Sequence, residues 1–288
     1  MSELVQTLDK GQVAKNFDRA AGSYDNHDFL QREVAARLLD QLNFINLKPQ
    51  LIADLGSGTG SHARALAKRY RKANVINLDL APQMLAKARS KAPKFWSRQH
   101  FLCSDIEAIP ITSESFDFVF ANLSLQWVAN LAVAFTEIRR VMKDGAVIMF
   151  STLGPDTLAE LKSAWAQVSS TPRVNTFFDM HDIGDALVSA GFTDPVLETD
   201  RITIEYAEVM DLLRDLKGIG AVNSAADRRR GVTTASRIRQ MSEAYEAYRR
   251  GDRLPATYEV VYAHAWATPM RGGASEPGVF PLTRIERR

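Results

Sequence analysis

The chain has 288 residues, 45% of them hydrophobic and 24% charged, with a formal net charge of +2. That balance is ordinary for a globular protein and carries too little positive charge for nucleic acid as the main partner. A single cysteine, Cys103, excludes an intrachain disulfide framework, and no apolar run approaches the roughly 18 residues of a membrane span.

The opening stretch MSELVQTLDKGQVAKNF lacks the apolar core of a secretory signal, so the expected location is the cytoplasm. A helix is predicted over 27–44, where Leu30, Val34, Leu38 and Leu42 recur at every fourth residue. From Leu51 the rhythm becomes short apolar runs, LIADLG, ANVINLDL, RQHFLCSD, FDFVFANLS and GAVIMFSTL, separated by helical segments near 60–71, 82–91 and 131–142. Such alternation predicts a parallel sheet covered by helices. Two more helices are predicted near 156–168 and 180–190, the latter capped by Gly191. Two late strand-like runs, PVLETDRITIEY and ATYEVVYAHAW, flank a charged helical insertion at 207–253 that would cover one edge as a lid. Residues 1–268 read as one domain. The tail 269–288, rich in Pro, Gly and Arg without periodicity, reads as disordered.

The run DLGSGTG follows the first predicted strand and opens a helix. Gly56, Gly58 and Gly60 let the backbone turn sharply and approach a ligand closely. Such a loop alone serves NAD, FAD and nucleotides alike. Ser61 stands where the dinucleotide fingerprint needs glycine, and no GK[ST] follows, which excludes a P-loop. Asp54 places a carboxylate where a pyrophosphate would be repelled. The expected ligand therefore lacks phosphate and carries a positive group. Asp79, with Leu80 beside it, ends the second strand where it can accept from both hydroxyls of a ribose. Asp105 closes the third strand and can accept from an adenine amino group, with Ile106 against the ring. Any one of these could be only a cap or loop carboxylate. The signal is the set of three acidic strand ends.

Over about residues 16–152 the motifs DLGSGTG, LDLAPQML, SDIEAIP and FDFVFANLSLQWV resemble those of the class I S-adenosylmethionine-dependent methyltransferases. The resemblance implies an α/β, Rossmann-like fold. Its seven-stranded, mostly parallel sheet would carry helices on both faces and end in a hairpin, here with the helical lid inserted before the last strand. It implies S-adenosyl-L-methionine as cofactor, with Gly56, Gly58 and Gly60 at the methionine end, Asp79 at the ribose, and Asp105 and Ile106 at the adenine. Asn122 and Leu123 would line the methyl-donor pocket. The upstream FDRAAGSYDNHDFLQRE looks like the family's cover segment, which makes Tyr24 and Arg32 candidates to close over the cofactor. Tyr24 could equally be a packed aromatic.

Methyl transfer depends above all on orientation and exclusion of water. Carbon and amine acceptors usually need a positioned base, whereas a carboxylate is already ionised at neutral pH. His27, His62, His100, His181 and His264 are scattered, without metal-ligand spacing. His62 is expected on a helix surface, His181 at a helix start, His264 in the last strand, and Cys103 as a small buried strand residue. No metal site and no catalytic base are expected.

The later motifs STLGPDTLAELKSAW, FFDMHDIGDALVSAGF, LLRDLKGIGAVN and LPATYEVVYAHAW resemble the malonyl-acyl carrier protein O-methyltransferases over about residues 12–267. That resemblance implies esterification of the free carboxylate of a malonyl thioester, carried by acyl carrier protein or coenzyme A, at the start of the pimelate moiety of biotin. LPATYEVVY is also similar to a mitochondrial relative that modifies an arginine in respiratory complex I assembly. A quinone-precursor methyltransferase is a further alternative, and would need a base near the pocket. Arg214 and Lys217, three apart on one helical face, are candidates to orient the malonyl carboxylate. They could instead be a cationic helix end favoured by the dipole and capped by Gly218 or Gly220. The arginine-rich stretch 227–253 is either a docking face for an acidic carrier protein or a solvated helix.

Overall fold

The computed structural model describes residues 8–94, 97–222 and 234–268. Its strands are β1 (Leu51–Leu55), β2 (Asn74–Asp79), β3 (Gln99–Cys103), β4 (Phe116–Asn122), β5 (Met142–Leu153), β6 (Phe192–Tyr206) and β7 (Leu254–Ala267). They form one sheet in the order β3-β2-β1-β4-β5-β7-β6. The pairs from β3 through β5 are parallel, and β7 runs antiparallel between β5 and β6. The helices are α1 (Lys10–Ala20), α2 (Phe29–Gln41), α3 (Ser61–Arg69), α4 (Pro82–Lys91), α5 (Leu131–Val141), α6 (Ala159–Ala166), α7 (Met180–Ser189), α8 (Val209–Gly218) and α9 (Ala235–Tyr245).

The central strands are almost continuously apolar because both of their faces are covered. Along β4, Phe118 and Phe120 join one apolar layer, with Leu38 of α2, Leu66 of α3 and Leu161 of α6. Val119 and Ala121 join the other, with Phe135 of α5 and Leu187 of α7. α8 and α9 lie between β6 and β7 in sequence, and Leu212, Met241 and Tyr245 anchor them on the first layer. The expected seven-stranded sheet and the helical insertion before its last strand are therefore both present.

α1 has no counterpart in the sequence reading. Its apolar stripe is only Val13, Phe17 and Ala20, too short to stand out, and it is set by the cap Asp9, which accepts from the Gln12 N–H at 2.9 Å. The tail 269–288 and residues 227–233 of the basic stretch lie outside the described residues. Among the described residues no helix is long and apolar enough to cross a membrane.

Candidate active site

Gly56, Gly58 and Gly60 carry the chain from β1 into α3, all with positive φ. At Gly56 (φ +68°) an added Cβ would lie 2.3 Å from the Cβ of Ser124, so any side chain would drive the loop off the end of β4. A cavity runs along this turn at the carboxyl ends of the strands, where ligands of open α/β sheets lie. Gly56 and Gly58, Asp79 with Leu80, and Asp105 with Ile106 wall it from three strand ends. Asn122 and Leu123 wall it from β4, and Tyr24 closes it from the cover segment. Gly60, at φ +77°, instead starts α3.

Each acidic strand end is held differently. Asp79 Oδ2 accepts the Gly58 N–H and Oδ1 the Ala81 N–H, both at 2.8 Å. Burial raises its pKa to about 6, while those two donors pull it down. Asp54 is not on the cavity wall. It lies fully buried beneath the loop, and neither carboxyl oxygen has a hydrogen-bond partner. Burial raises its pKa to about 7, with Asp79 adding to that rise and Arg64 acting against it. Asp105 pairs with Lys10, the first residue of α1, and its Oδ1 accepts the Glu107 N–H at 3.0 Å. Lys10 also pairs with Glu107, which ties α1 across the end of β3. Asn122 accepts from the Ser151 hydroxyl at 2.8 Å and donates to the Gln31 carbonyl at 3.0 Å. Leu123 next to it takes a left-handed backbone, φ +47°, unusual for a leucine and of the kind that gathers at functional sites.

Several expectations need correction. The ring nitrogens of His62 are not on a helix surface but buried against the cavity, without partners and beside Phe120, and burial pushes its pKa down to about 4. Cys103 is exposed, because β3 is an edge strand. Arg32 does not close over the cofactor cavity. Its side chain is 61% exposed and pairs with Asp28, the residue just before α2. His100 and His181 are exposed, and His181 lies in the first turn of α7. His264 stacks edge-on with Trp266 on β7.

A second cavity of about 380 Å³ adjoins the first, and Phe17, Tyr24, Gln31, Leu123 and Trp127 wall both. Its own walls are mainly apolar, with Phe29, Leu158, Leu161 and Trp165 on one side and Leu213 and Leu216 of α8, with Ile219 just past its end, on another. Tyr206 and Tyr258 add hydroxyls whose pKa values burial drives up, so both stay protonated and can donate. α8 is fastened to the cover segment at three points. The Ser23 hydroxyl donates to the Gly218 carbonyl at 2.9 Å, and His27 Nδ1 meets Asp215 Oδ1 at 2.7 Å. Gly218 also packs against the His27 ring, so that a Cβ there would lie 2.3 Å from Cδ2.

The apolar stripe of α8 fixes its rotation, and this overturns the expectation for Arg214 and Lys217. Both are exposed and neither lines a cavity. The Arg214 side chain, 66% exposed, pairs with Asp211 one turn earlier. What the structure shows is a cationic helix end, followed by Gly220 in the left-handed conformation at φ +79°. Among the described residues, the Arg or Lys on the second cavity's wall is Arg173 alone, from the connection between α6 and α7. Its guanidinium lies over the Trp165 ring, 5.5 Å from the centroid. Neither Arg173 nor the His27–Asp215 pair was flagged by sequence. One is a lone arginine in an aperiodic loop, and the other joins residues 188 positions apart.

The first cavity suits S-adenosyl-L-methionine. On its wall, Ser57, His62 and Ser124 contribute buried polar atoms without protein partners, which a ligand bearing both charges and several donors can satisfy. Fold and site together define a class I S-adenosylmethionine-dependent methyltransferase. The methyltransferase domain family matches residues 53–150. Solved structures of the same fold include the YcgJ protein of Bacillus subtilis, with TM-score 0.58 and 13% identity, covering 80% of this chain and 97% of that one. Another is a Haemonchus contortus phosphoethanolamine N-methyltransferase in complex with S-adenosyl-L-methionine (TM-score 0.56, 18% identity, 87% and 57% covered).

Sequence relatives narrow the class. The malonyl-[acyl-carrier protein] O-methyltransferase of Methylovorus sp. is 48% identical over 96% of this chain and 94% of its own length. That of Halorhodospira halophila is 46% identical over 98% and 97%. The chain belongs to the malonyl-[acyl-carrier protein] O-methyltransferase family.

Proposed function

We propose that this protein methylates the free carboxylate of malonyl-acyl carrier protein to its methyl ester, opening pimeloyl synthesis for biotin in the cytoplasm. The observation that carries this reading is the reach of the similarity, 48% identity over 96% of the chain. It takes in the lid and the α6–α7 connection, the parts that build the acceptor cavity, as well as the methyltransferase core.

The first cavity would hold the cofactor with Gly56 and Gly58 against its methionine end, over Asp54 and His62. Asp79 and Leu80 would face the ribose, Asp105 and Ile106 the adenine, and Asn122, Leu123 and Tyr24 the junction with the acceptor. When bound, the cofactor would supply an electrophilic methyl group with a good leaving group built in, which an already ionised carboxylate can accept without giving up a proton. The chain's own work is to orient and to exclude water. Tyr24 and Leu123 form a shared wall, α8 closes the acceptor side, and the ties from Ser23 and His27 hold that closure. A cavity of about 380 Å³ takes a small acyl group and the end of its carrier arm, so the carrier itself remains outside.

The His27–Asp215 pair is the one observation that favours a different acceptor, a neutral one needing a base, as a quinone precursor would. Incubation with S-adenosyl-L-methionine and malonyl-, succinyl- or acetyl-acyl carrier protein, with malonyl-coenzyme A as a further arm, separates these readings by mass spectrometry. Methylation of the malonyl thioester and not the acetyl one is expected. No product from any carboxylated thioester overturns the proposal.

A further inference from the structure

We infer that the side-chain amide of Gln31 holds the methyl group at the transfer point, its carbonyl oxygen accepting the polarised C–H of the sulfonium methyl. Transfer has to occur where the cofactor and acceptor cavities meet, so the residues walling both are the ones placed to touch the group in transit. They are Phe17, Tyr24, Gln31, Leu123 and Trp127. Phe17 and Leu123 carry no polar side-chain atom, and the Trp127 indole only donates. The side-chain acceptors among the five are therefore the Tyr24 hydroxyl and the Gln31 amide. Of these, it is the Gln31 oxygen that is buried without a hydrogen-bond donor. A buried oxygen left in that state is costly unless a ligand supplies the donor.

The fold fixes where this amide sits. Gln31 is the third residue of α2, whose Leu30, Val34 and Leu38 are buried in the first apolar layer. Its backbone carbonyl accepts from the Asn122 side-chain amide at 3.0 Å, and Asn122 in turn accepts from the Ser151 hydroxyl at 2.8 Å. The start of α2 is thereby pinned to the end of β4, beside Leu123 and its left-handed backbone. A methyl on a positively charged sulfur carries part of that charge, so its C–H bonds donate better than those of an ordinary methyl. An amide carbonyl meets it with a dipole and no net charge. A carboxylate in the same place would repel an anionic acceptor, and a hydrocarbon would give the methyl no direction. S-adenosylhomocysteine has neither the charge nor the methyl, so the contact exists only with the methylated cofactor. It concerns the donor and is independent of which acceptor the second cavity takes.

The test is titration calorimetry of the full-length protein with S-adenosyl-L-methionine and with S-adenosylhomocysteine. The proton resonance of the bound methyl group, in cofactor labelled there with carbon-13, gives a second readout. Gln31→Leu, of similar size, is expected to weaken S-adenosyl-L-methionine by roughly three- to fivefold and S-adenosylhomocysteine by less than about 1.5-fold, the range one C–H···O contact supports. The methyl resonance should move upfield, because the carbonyl that deshields it is gone. Gln31→Glu keeps a carbonyl oxygen at the site and should keep both the preference for the methylated form and the downfield resonance. Should Gln31→Leu not fold, Gln31→Met, which keeps the length of the side chain without the carbonyl, carries the same expectation. Equal weakening of both ligands, unchanged binding of both, or a methyl resonance that stays in place would make Gln31 a packing residue and overturn the inference. Gln31→Glu behaving like Gln31→Leu would overturn it as well.

Discussion

The two adjoining cavities are built from opposite materials. Around the cofactor cavity, the ends of β1 to β4 bring carboxylates, hydroxyls and backbone N–H groups to one wall with Gly56. Around the acceptor cavity, aromatic and aliphatic side chains arrive from the cover segment, α6, the loop before α7, α8 and β7. A polar site on strand ends is positioned by the sheet itself and tolerates little change in backbone. An apolar site roofed by a helix is positioned by side-chain packing and by the ties of that helix to its neighbours. Perturbing the first should therefore destroy, and perturbing the second should detune.

The largest effect expected is from Gly56→Val, which forces a side chain into the 2.3 Å approach to Ser124 at a backbone φ of +68°. Stability should fall by about 2–4 kcal/mol and cofactor binding should be lost, read by thermal unfolding and calorimetry. If this variant binds the cofactor normally, the loop is not the rigid element described here. Next is Asp79→Asn, which keeps the shape but replaces one acceptor oxygen by a donor opposite the Gly58 or Ala81 N–H. Cofactor affinity should fall roughly thirtyfold, about 2 kcal/mol, with little change in acceptor binding once the cofactor site is saturated.

Proton linkage offers a third contrast. Asp54 and Asp79 have pKa values raised from 3.8 to about 7 and about 6. With a folded-state pKa above the unfolded one, their contribution to stability is present below about pH 4 and lost as pH rises through 6 and 7. A ligand that brings positive charge and hydroxyl donors favours the ionised forms, so cofactor affinity should strengthen over the same window, by roughly tenfold between pH 5.5 and 7.5. Asp54→Asn should flatten that rise, and a slope unchanged in the variant would remove Asp54 from the account.

On the acceptor side, Gly218→Ala drives a methyl group into the His27 ring and loosens α8. The KM for the acceptor should rise about fivefold while cofactor affinity moves less than twofold, the size expected for one lost packing contact. The smallest effect is expected from the double variant Arg214→Gln, Lys217→Gln, whose side chains face solvent: kinetics within twofold of wild type.

The same contrast explains what could be read from the residues alone. DLGSGTG, Asp79 and Asp105 are legible because strand, turn and helix follow one another locally, so spacing in sequence is spacing in the cavity. β6 and β7 are legible as strand-like runs, β6 by the alternation of PVLETDRITIEY and β7 by its apolar residues. Arg173 and the His27–Asp215 pair have no local signature, since only the assembled fold brings them to one wall. The error at Arg214 and Lys217 is instructive. Their i, i+3 spacing identified one helical face correctly, but which face turns inward was set by Leu212, Leu213, Leu216 and Ile219. His62 failed similarly, because α3 carries its second residue down against Phe120.

The central claim is that transfer to an already ionised acceptor needs orientation in a closed cavity and no protein base. The single-turnover rate with malonyl-acyl carrier protein, both sites saturated, measured from pH 6 to 8.5 in wild type and His27→Gln, tests it directly. The account predicts a rate flat with pH in both proteins, with His27→Gln slowed only as far as α8 loosens. A rate that climbs with a histidine-like midpoint in wild type and collapses in His27→Gln would make the His27–Asp215 pair a catalytic base and contradict it.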